Sequence, residues 1–586
     1  MRILVKEKLL MWAGVVLFLS YLLPNHYSPW LSFHQELTAA VAFAPLLAWA
    51  CTRVAPFPKM AMGVTALAVV PLLQIAGGQI YFATDGWMSS LYLLGFALAI
   101  YAGALYYRTD GTHFAPGSPG NIHVERSLGS IENLWVAILM AALCSAGLAF
   151  HQWLIPSYQG IYIVEIPPQS RPFANLAQPN QLATLLMLGI AGLMFVWETR
   201  RLRAPFAMAA AFLLLWALVM TGSRTVLMAL LWLLPAYALM RCRCKLRTTP
   251  AAIAAGVVFY FVMTWLWPLL SEWLLLNSGN NTALERMGSI GIRKVFWISM
   301  LDAIGRAPWL GYGWGQVSIA QVTVALDHPP TYSLFESAHN LFIDLALWNG
   351  LPIALLIFLG IGAWFLGQVR NCNNAMKWAT LVGVALVFNH AMVEYPLNYA
   401  YFLLPVGFFI GALSTSNNMP MQTYAVFPTA KRLGLLTMGG LMSAATVLVV
   451  VEYFPIEEDW NLMRFQEARI GNLEVKDTQS SALVLTGLQQ FLRFSRTEAR
   501  PGMSVDELDA MRRASERFAY AAPMFKYALA QALNQQPENA LITLRTMCSM
   551  QVESVCLSAK RQWDELGKTD YPELENLPFP SFGTSR

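Results

Sequence analysis

The sequence predicts an all-α, polytopic membrane protein of about 13 transmembrane helices, with one large outer loop and a C-terminal helical soluble domain. Three observations predict it. Of the residues, 56% are hydrophobic and only 12% are charged, against ~25% charged in a soluble domain. The apolar residues gather into runs close to the ~20 residues that a bilayer-spanning helix needs. Charge then divides the chain: up to Glu452 there are 24 Lys and Arg against 16 Asp and Glu, and beyond it 15 against 18. A membrane part over 1–454 and a water-soluble part over 455–586 follow. The net charge of +5 records basic residues in short loops, and no nucleic-acid partner is expected.

Candidate spans run over 9–23, 37–52, 60–76, 88–107, 133–155, 181–197, 204–221, 225–240, 251–270, 340–368, 376–393, 397–413 and 433–453. The tenth is long for one crossing and fits a tilted or partly buried start. The first follows Arg2, Lys6 and Lys8 without a small-residue cleavage site, the pattern of a retained signal-anchor. Basic residues occupy alternate connections: Arg53 and Lys59, Arg108 and Arg126, Arg200 to Arg203, Arg241 to Arg247, Arg370 and Lys377, Lys431 and Arg432. Between them, 24–36, 77–87 and 394–396 carry none, 156–180 only Arg171 and 222–224 only Arg224. Lys and Arg accumulate on the cytoplasmic side, so the N-terminus is expected inside and the C-terminal part outside.

Two outer loops are long, 156–180 and 271–338. In the second, apolar residues at 292, 295, 296, 300, 303 and 304 repeat at helical spacing, as for a short helix on the membrane face. Trp297, Trp309 and Trp314 suit an interfacial depth. The C-terminal part reads as short amphipathic helices around 519–522, 527–530 and 537–540, spaced like a packed helix pair. Cys548 and Cys556 lie there. One continuous helix would hold them ~12 Å apart at about 1.5 Å per residue, so pairing requires a turn between them; an oxidising compartment favours it.

Several polar groups sit where an apolar chain needs a reason for them. His339 stands at the point where the large loop re-enters a span. An imidazole titrates near ~6.5 and suits a base that takes a proton from a hydroxyl nucleophile; a helix-capping role is the alternative. Arg224 lies in a very short outer turn, and Arg286 and Arg293 lie in the large loop. Guanidinium binds phosphate oxygens bidentately, which suits a pyrophosphate, while anchoring to lipid headgroups is the plainer reading. Asn175, Gln178, Asn180 and Gln181 form an amide cluster that offers directional donors to sugar hydroxyls or an oxyanion, unless Pro179 and Asn180 merely start a helix.

His390 and Glu394 share a helix face at i and i+4, a spacing that permits metal, but there is no HExxH and no third ligand nearby. Cys242-Arg243-Cys244 lacks a matching pair for zinc. Gly311, Gly313 and Gly315 lack the strand-and-helix context of a nucleotide fold and read as a tight re-entrant turn. No metal and no cofactor is expected.

Ser337-Ala338-His339-Asn340-Leu341-Phe342, closing on Asn349-Gly350-Leu351-Pro352, resembles the signature of the O-antigen ligase and polymerase superfamily. Phe173 to Gln181, Pro308 to Gly315, and Val393-Glu394-Tyr395-Pro396-Leu397-Asn398-Tyr399-Ala400-Tyr401-Phe402 narrow the resemblance to bacterial protein O-oligosaccharyltransferases that glycosylate pilins (PglL type). It covers most of 120–415.

The resemblance implies transfer of a preassembled oligosaccharide en bloc from undecaprenyl pyrophosphate to Ser or Thr of an exported protein such as pilin, without ATP, nucleotide sugar or metal. His339 would activate or position the acceptor, and Gln178 and Tyr395 would orient donor or acceptor. Arg224 and Arg293 are assigned to the pyrophosphate from charge, and Arg286, Asn180 and Glu394 join them as substrate-binding candidates. The protein would sit in the bacterial inner membrane with its N-terminus cytoplasmic and its site and C-terminal domain periplasmic. An O-antigen ligase or polymerase, with a sugar acceptor, is the nearest rival. A lipid-linked glycan flippase is a rival from another class, against which stands the gathering of polar groups at one face.

Overall fold

A computed structural model of the chain describes residues 2–53, 55–108, 131–156, 160–167, 170–274, 276, 291–415, 428–467 and 481–581. Arg126 and Arg286 lie outside these. Among the described residues the regular structure is helical; the sole β feature is an isolated bridge between Gly160 and Ile163. Helices α1 (Arg2–Leu22), α2 (Phe33–Cys51), the pair α3 (Lys59–Leu67) and α4 (Val69–Ala76), and α5 (Ala83–Arg108) open the chain. Next come α6 (Glu132–Leu154), α7 (Pro179–Glu198), α8 (Ala204–Met220), α9 (Arg224–Cys244) and α10 (Pro250–Trp273). The loop region holds α11 (Gly291–Arg306) and α12 (Val317–Val324), followed by α13 (Leu341–Asn349), α14 (Leu351–Asn371), α15 (Ala375–Ala391), α16 (Ala400–Thr415) and α17 (Pro428–Glu467). The C-terminal part adds α18 (Thr486–Arg496), α19 (Val505–Arg517), α20 (Ala521–Leu533), α21 (Pro537–Met550) and α22 (Glu553–Thr569).

Each expected span has a helical counterpart. Among the described residues eight helical stretches, with α3 and α4 together counting as one, are long and apolar enough to cross a membrane, and α8 and α16 are apolar but shorter. The protein is a helical, multi-pass membrane protein. The tenth span is not one helix: Gly350, at φ +80°, separates the short α13 from α14, and only α14 has spanning length. The boundary expected at residue 454 falls inside α17, which continues through Pro455.

The chain divides into two compact units, one of residues 1–67, 92–289 and 360–443, the other of 68–91, 290–359 and 444–586. In the first, α6 packs on α7 and α1, and α7 on α15. Trp135 of α6 stacks on Phe409 with centroids 4.4 Å apart and planes 6° apart. Small residues make that approach possible, as between membrane helices generally. A Cβ at Gly383 would lie 2.4 Å from the Trp135 ring, and one at Gly411 only 1.9 Å from the Ile100 carbonyl oxygen.

In the second unit, glutamines do the joining. Gln74 donates to the Trp348 carbonyl (2.8 Å) and accepts from the Trp314 amide (3.0 Å), while Gln79 donates to the carbonyls of Leu310 and Gly311. The glycine-rich turn is tight, with Gly311, Gly313 and Gly315 all at positive φ. It lies against Gly350: Tyr312 N donates to Leu347 O (2.6 Å) and Leu351 N to Pro308 O (2.8 Å). Trp314 is buried against Trp348, centroids 5.0 Å apart, so it is a packing residue; Trp309 remains exposed.

The expected loop helix is α11, which buries Phe296, Met300, Ala303 and Ile304 but leaves Ile292 exposed. The C-terminal helices share an apolar core of Leu544, Met547, Ala528 and Trp563. Cys548 and Cys556 form a disulfide, Cα atoms 5.4 Å apart, across the turn at Gln551 and Val552 that separates α21 from α22. Arg517 holds Asp85 by two bonds of 2.7 and 2.9 Å.

Candidate active site

In the first unit the amide segment before α7 divides into two roles. Ala174 and Ala177 both adopt left-handed backbone, at φ 53° and 55°, a conformation that costs a non-glycine residue ~1–3 kcal/mol. Gln152 offsets it by accepting from the amides of Phe173 (3.0 Å) and Ala174 (2.8 Å). Asn175 is buried and donates to the carbonyls of Leu22 and Tyr162, so it secures the loop.

Gln178 is extended, ahead of Pro179 at the first position of α7, where proline's missing N–H costs nothing. Gln178 and Asn180 both reach Glu394. Asn180 Nδ2 donates to Glu394 Oε1 (2.8 Å) and Gln178 Nε2 to Oε2 (3.5 Å). Glu394 is buried, and a carboxylate there needs such donors.

The same cluster takes in the turn that carries Arg224. Ser223 Oγ donates to Asn180 Oδ1 (2.9 Å), and Arg171 Nη1 donates to the Thr221 carbonyl (2.5 Å). Arg224 begins α9 and is half-buried. Tyr395 stacks on Tyr399, and Tyr399 on Tyr401, with centroids 5.8 and 5.3 Å apart; Tyr401 Oη donates to Gln181 Oε1 (2.6 Å). His390 Nδ1 lies 2.6 Å from Thr184 Oγ1, so both members of the i, i+4 pair are engaged by helix α7 and its cap. Among the described residues no three His, Cys, Asp or Glu side chains group as metal ligands would.

In the second unit His339 is held by its neighbours. It sits in left-handed backbone at φ 52°. Asn340 caps α13, its Oδ1 accepting from Phe342 N and Ile343 N; the cap is therefore Asn340. Ser337 Oγ accepts from His339 N (3.0 Å) and donates to Asp344 Oδ2 (2.7 Å), and Ala338 N donates to Asp344 Oδ1 (2.7 Å).

Trp297 Nε1 of α11 donates to the Ala338 carbonyl (2.8 Å), and Phe335 meets the imidazole edge-on at 5.8 Å. Arg293 lies one turn before Trp297, on the helix face shared by i and i+4 residues. Asp344 lies in α13, outside the spanning helices, and burial pushes its carboxyl up to about 6, opposed by the Ala338 amide and the Ser337 hydroxyl.

Two acidic residues escaped the sequence reading. Asp344 stands inside the quoted motif but drew no role. Glu36, at the start of an apolar helix, accepts from Trp30 Nε1 (3.0 Å), Ser32 Oγ (2.5 Å), Tyr92 Oη and Ala400 N (3.2 Å). The signal was available, since a carboxylate in a span is costly and seldom idle.

Three family models match stretches that between them hold every described candidate. Residues 172–197 match "Protein glycosylation ligase", 209–359 match "O-Antigen ligase", and 378–551 match "Virulence factor membrane-bound polymerase, C-terminal". Two relatives are from Acinetobacter baylyi (strain ATCC 33305 / BD413 / ADP1). The chain is 29% identical to a general O-oligosaccharyltransferase over 91% of this chain and 90% of the relative. It is 27% identical to a ComP-specific O-oligosaccharyltransferase over 72% and 73%. The protein is thus an enzyme of the glycosyltransferase class. More closely, these similarities support the family of bacterial protein O-oligosaccharyltransferases of the O-antigen ligase and polymerase superfamily.

Proposed function

We propose that the protein transfers a preassembled oligosaccharide en bloc from undecaprenyl pyrophosphate to a Ser or Thr hydroxyl of an exported protein such as a pilin. The observation that carries this reading is the built setting of His339: strained backbone, fixed by Ser337, Asp344 and Asn340. Left-handed backbone at a non-glycine persists only where surroundings over-determine it, and such strain clusters at active sites. The imidazole takes the proton of the acceptor hydroxyl as its oxygen bonds to the anomeric carbon. The bond from that carbon to the pyrophosphate oxygen breaks, and lipid pyrophosphate leaves.

Arg224 and Arg293, with Arg286, hold the pyrophosphate charge. Gln178 and Tyr395 orient the sugar or the acceptor, and Glu394 with Asn180 sets the pose of Gln178. We read thirteen crossings of the inner membrane, with the N-terminus cytoplasmic and His339 and the C-terminal helices periplasmic. Loop charge supports that orientation, and the Cys548–Cys556 disulfide suits an oxidising compartment.

The test is purified protein with undecaprenyl-pyrophosphate-linked glycan and a Ser-containing pilin peptide, without a membrane gradient. Glycopeptide should form with the wild type and not with His339→Ala. Transfer to a lipopolysaccharide core sugar but not to peptide would make it a ligase. Glycan movement across vesicles without any transfer would make it a transporter.

A further inference from the structure

The turn between α21 and α22 is closed by the Cys548–Cys556 disulfide, and something other than the C-terminal core uses it. Ser549 lies inside that closure, in the last turn of α21, where helix carbonyls lack intrahelical donors. Its carbonyl accepts from two consecutive amides of the large loop, Thr331 N at 2.9 Å and Tyr332 N at 3.1 Å. From there the run toward His339 is tied at successive points.

Thr331 is buried and receives Gln321 Nε2 on its Oγ1 (3.0 Å). The same Gln321 nitrogen donates to Ser333 O (2.9 Å), and its oxygen accepts from Phe335 N (3.0 Å). Phe335 stacks on Phe296 at 4.0 Å and meets the His339 ring with the two planes at 90°. Tyr520, at the start of α20, donates to Glu336 Oε1 at 2.6 Å. Ser337 and Ala338 close the run on Asp344.

We propose that the Cys548–Cys556 hairpin is a positioning element for His339: it fixes the Ser549 carbonyl that anchors the far end of the loop whose near end presents the imidazole. The hairpin touches no substrate. Its role is to restrict the loop, so that the left-handed backbone of Tyr332 (φ 50°) and of His339 (φ 52°) is the populated one. The functional half of this inference rests on His339 acting in transfer; the mechanical half does not.

The test uses the full chain in detergent or nanodiscs, comparing wild type with the double variant Cys548→Ser/Cys556→Ser and the milder Tyr520→Phe. Hydrogen–deuterium exchange follows residues 331–339, and glycan transfer gives kcat and KM for donor and acceptor separately. In the double variant, exchange at Thr331 and Tyr332 should rise about tenfold, the loss expected of roughly one hydrogen bond. The kcat should fall by a similar factor of about ten, with donor KM unchanged. Tyr520→Phe should move both readouts in the same direction by a smaller factor, and it decides the matter if the double variant does not fold. Unchanged exchange at 331–332 in folded protein overturns the proposal, as does a raised donor KM at constant kcat. Activity surviving His339→Ala with exchange still coupled to the hairpin would overturn the role of His339 instead.

Discussion

Asp344→Ala is the substitution whose consequence is most fully set by the geometry. It removes both acceptors at the base of the His339 loop, the 2.7 Å bonds from Ser337 Oγ and Ala338 N. Hydrogen bonds to a charged group are worth ~1.5–3 kcal/mol each, and a buried N–H left without an acceptor costs ~1–3 kcal/mol. Against these stands the strain at His339, ~1–3 kcal/mol for left-handed backbone at a non-glycine residue. Loss of both bonds therefore exceeds what the strained conformer can bear, by a margin of ~3 kcal/mol, which corresponds to a fall in kcat of about 100-fold. Asp344→Asn should be far milder, within about tenfold, because its amide oxygen can accept from Ala338 N while its NH2 donates to Ser337 Oγ. The assay is the initial rate of glycopeptide formation by purified protein, with kcat and KM resolved and circular dichroism confirming the fold. A near-wild-type kcat in Asp344→Ala would refute the reasoning. So would an Asp344→Asn as inactive as Asp344→Ala, since charge rather than bonding would then be the contribution.

Asn180→Ala removes the 2.8 Å donor to Glu394 and the acceptor of Ser223; two bonds at ~1–2 kcal/mol predict a fall in kcat/KM of roughly 30-fold or more, measured in the same assay, whereas Asn175→Ala should instead lower the yield of folded protein. Gly311→Ala and Gly350→Ala should prevent accumulation of the protein, because each new Cβ would meet backbone oxygen at 2.3 Å; membrane-fraction immunoblots report it. The Arg500 guanidinium, with Ser504, holds the Glu507 carboxyl down to about 2, below its ordinary 4.5. Its contribution to the α19 cap is therefore present above pH 4.5 and lost as pH falls from there toward 2. Exchange at residues 504–508 should rise over that window, and Glu507→Gln should abolish the pH dependence.

The helices were legible because lipid leaves a chain few options: backbone groups must be satisfied within the segment, so the long apolar runs of α6 and α7 could be read directly. The break at Gly350 was written in the sequence as Asn349-Gly350-Leu351-Pro352, yet nothing local says that it accommodates the turn at Gly311. That contact is a matter of tertiary approach. The candidate residues were legible by type, His339 in one unit and Gln178 and Glu394 in the other, because polar groups in an apolar chain stand out. Their partners were less so. Among four amides in one segment, the division between Asn175, which secures the loop, and Asn180, which meets Glu394, depends on positive-φ alanines at 174 and 177, residues for which sequence offers no left-handed signal. Trp314 reads as interfacial because tryptophan favours that depth; its stack on Trp348 depends on long-range packing.

The ion pair between Asp85 and Arg517 joins residues 432 apart in sequence. A ribosome adding ~5–20 residues per second makes the second partner tens of seconds after the first. The unit that holds His339 draws on 68–91, 290–359 and 444–586, so during synthesis its first two pieces wait for the third. Until Ser549 has emerged, the amides of Thr331 and Tyr332 have no carbonyl there to meet. The nascent chain is thus without this anchor of the His339 loop until α21 has been made. A chain that ended between Tyr395 and Ser549 would carry every candidate residue of the proposed transfer and still lack the carbonyl that anchors the His339 loop.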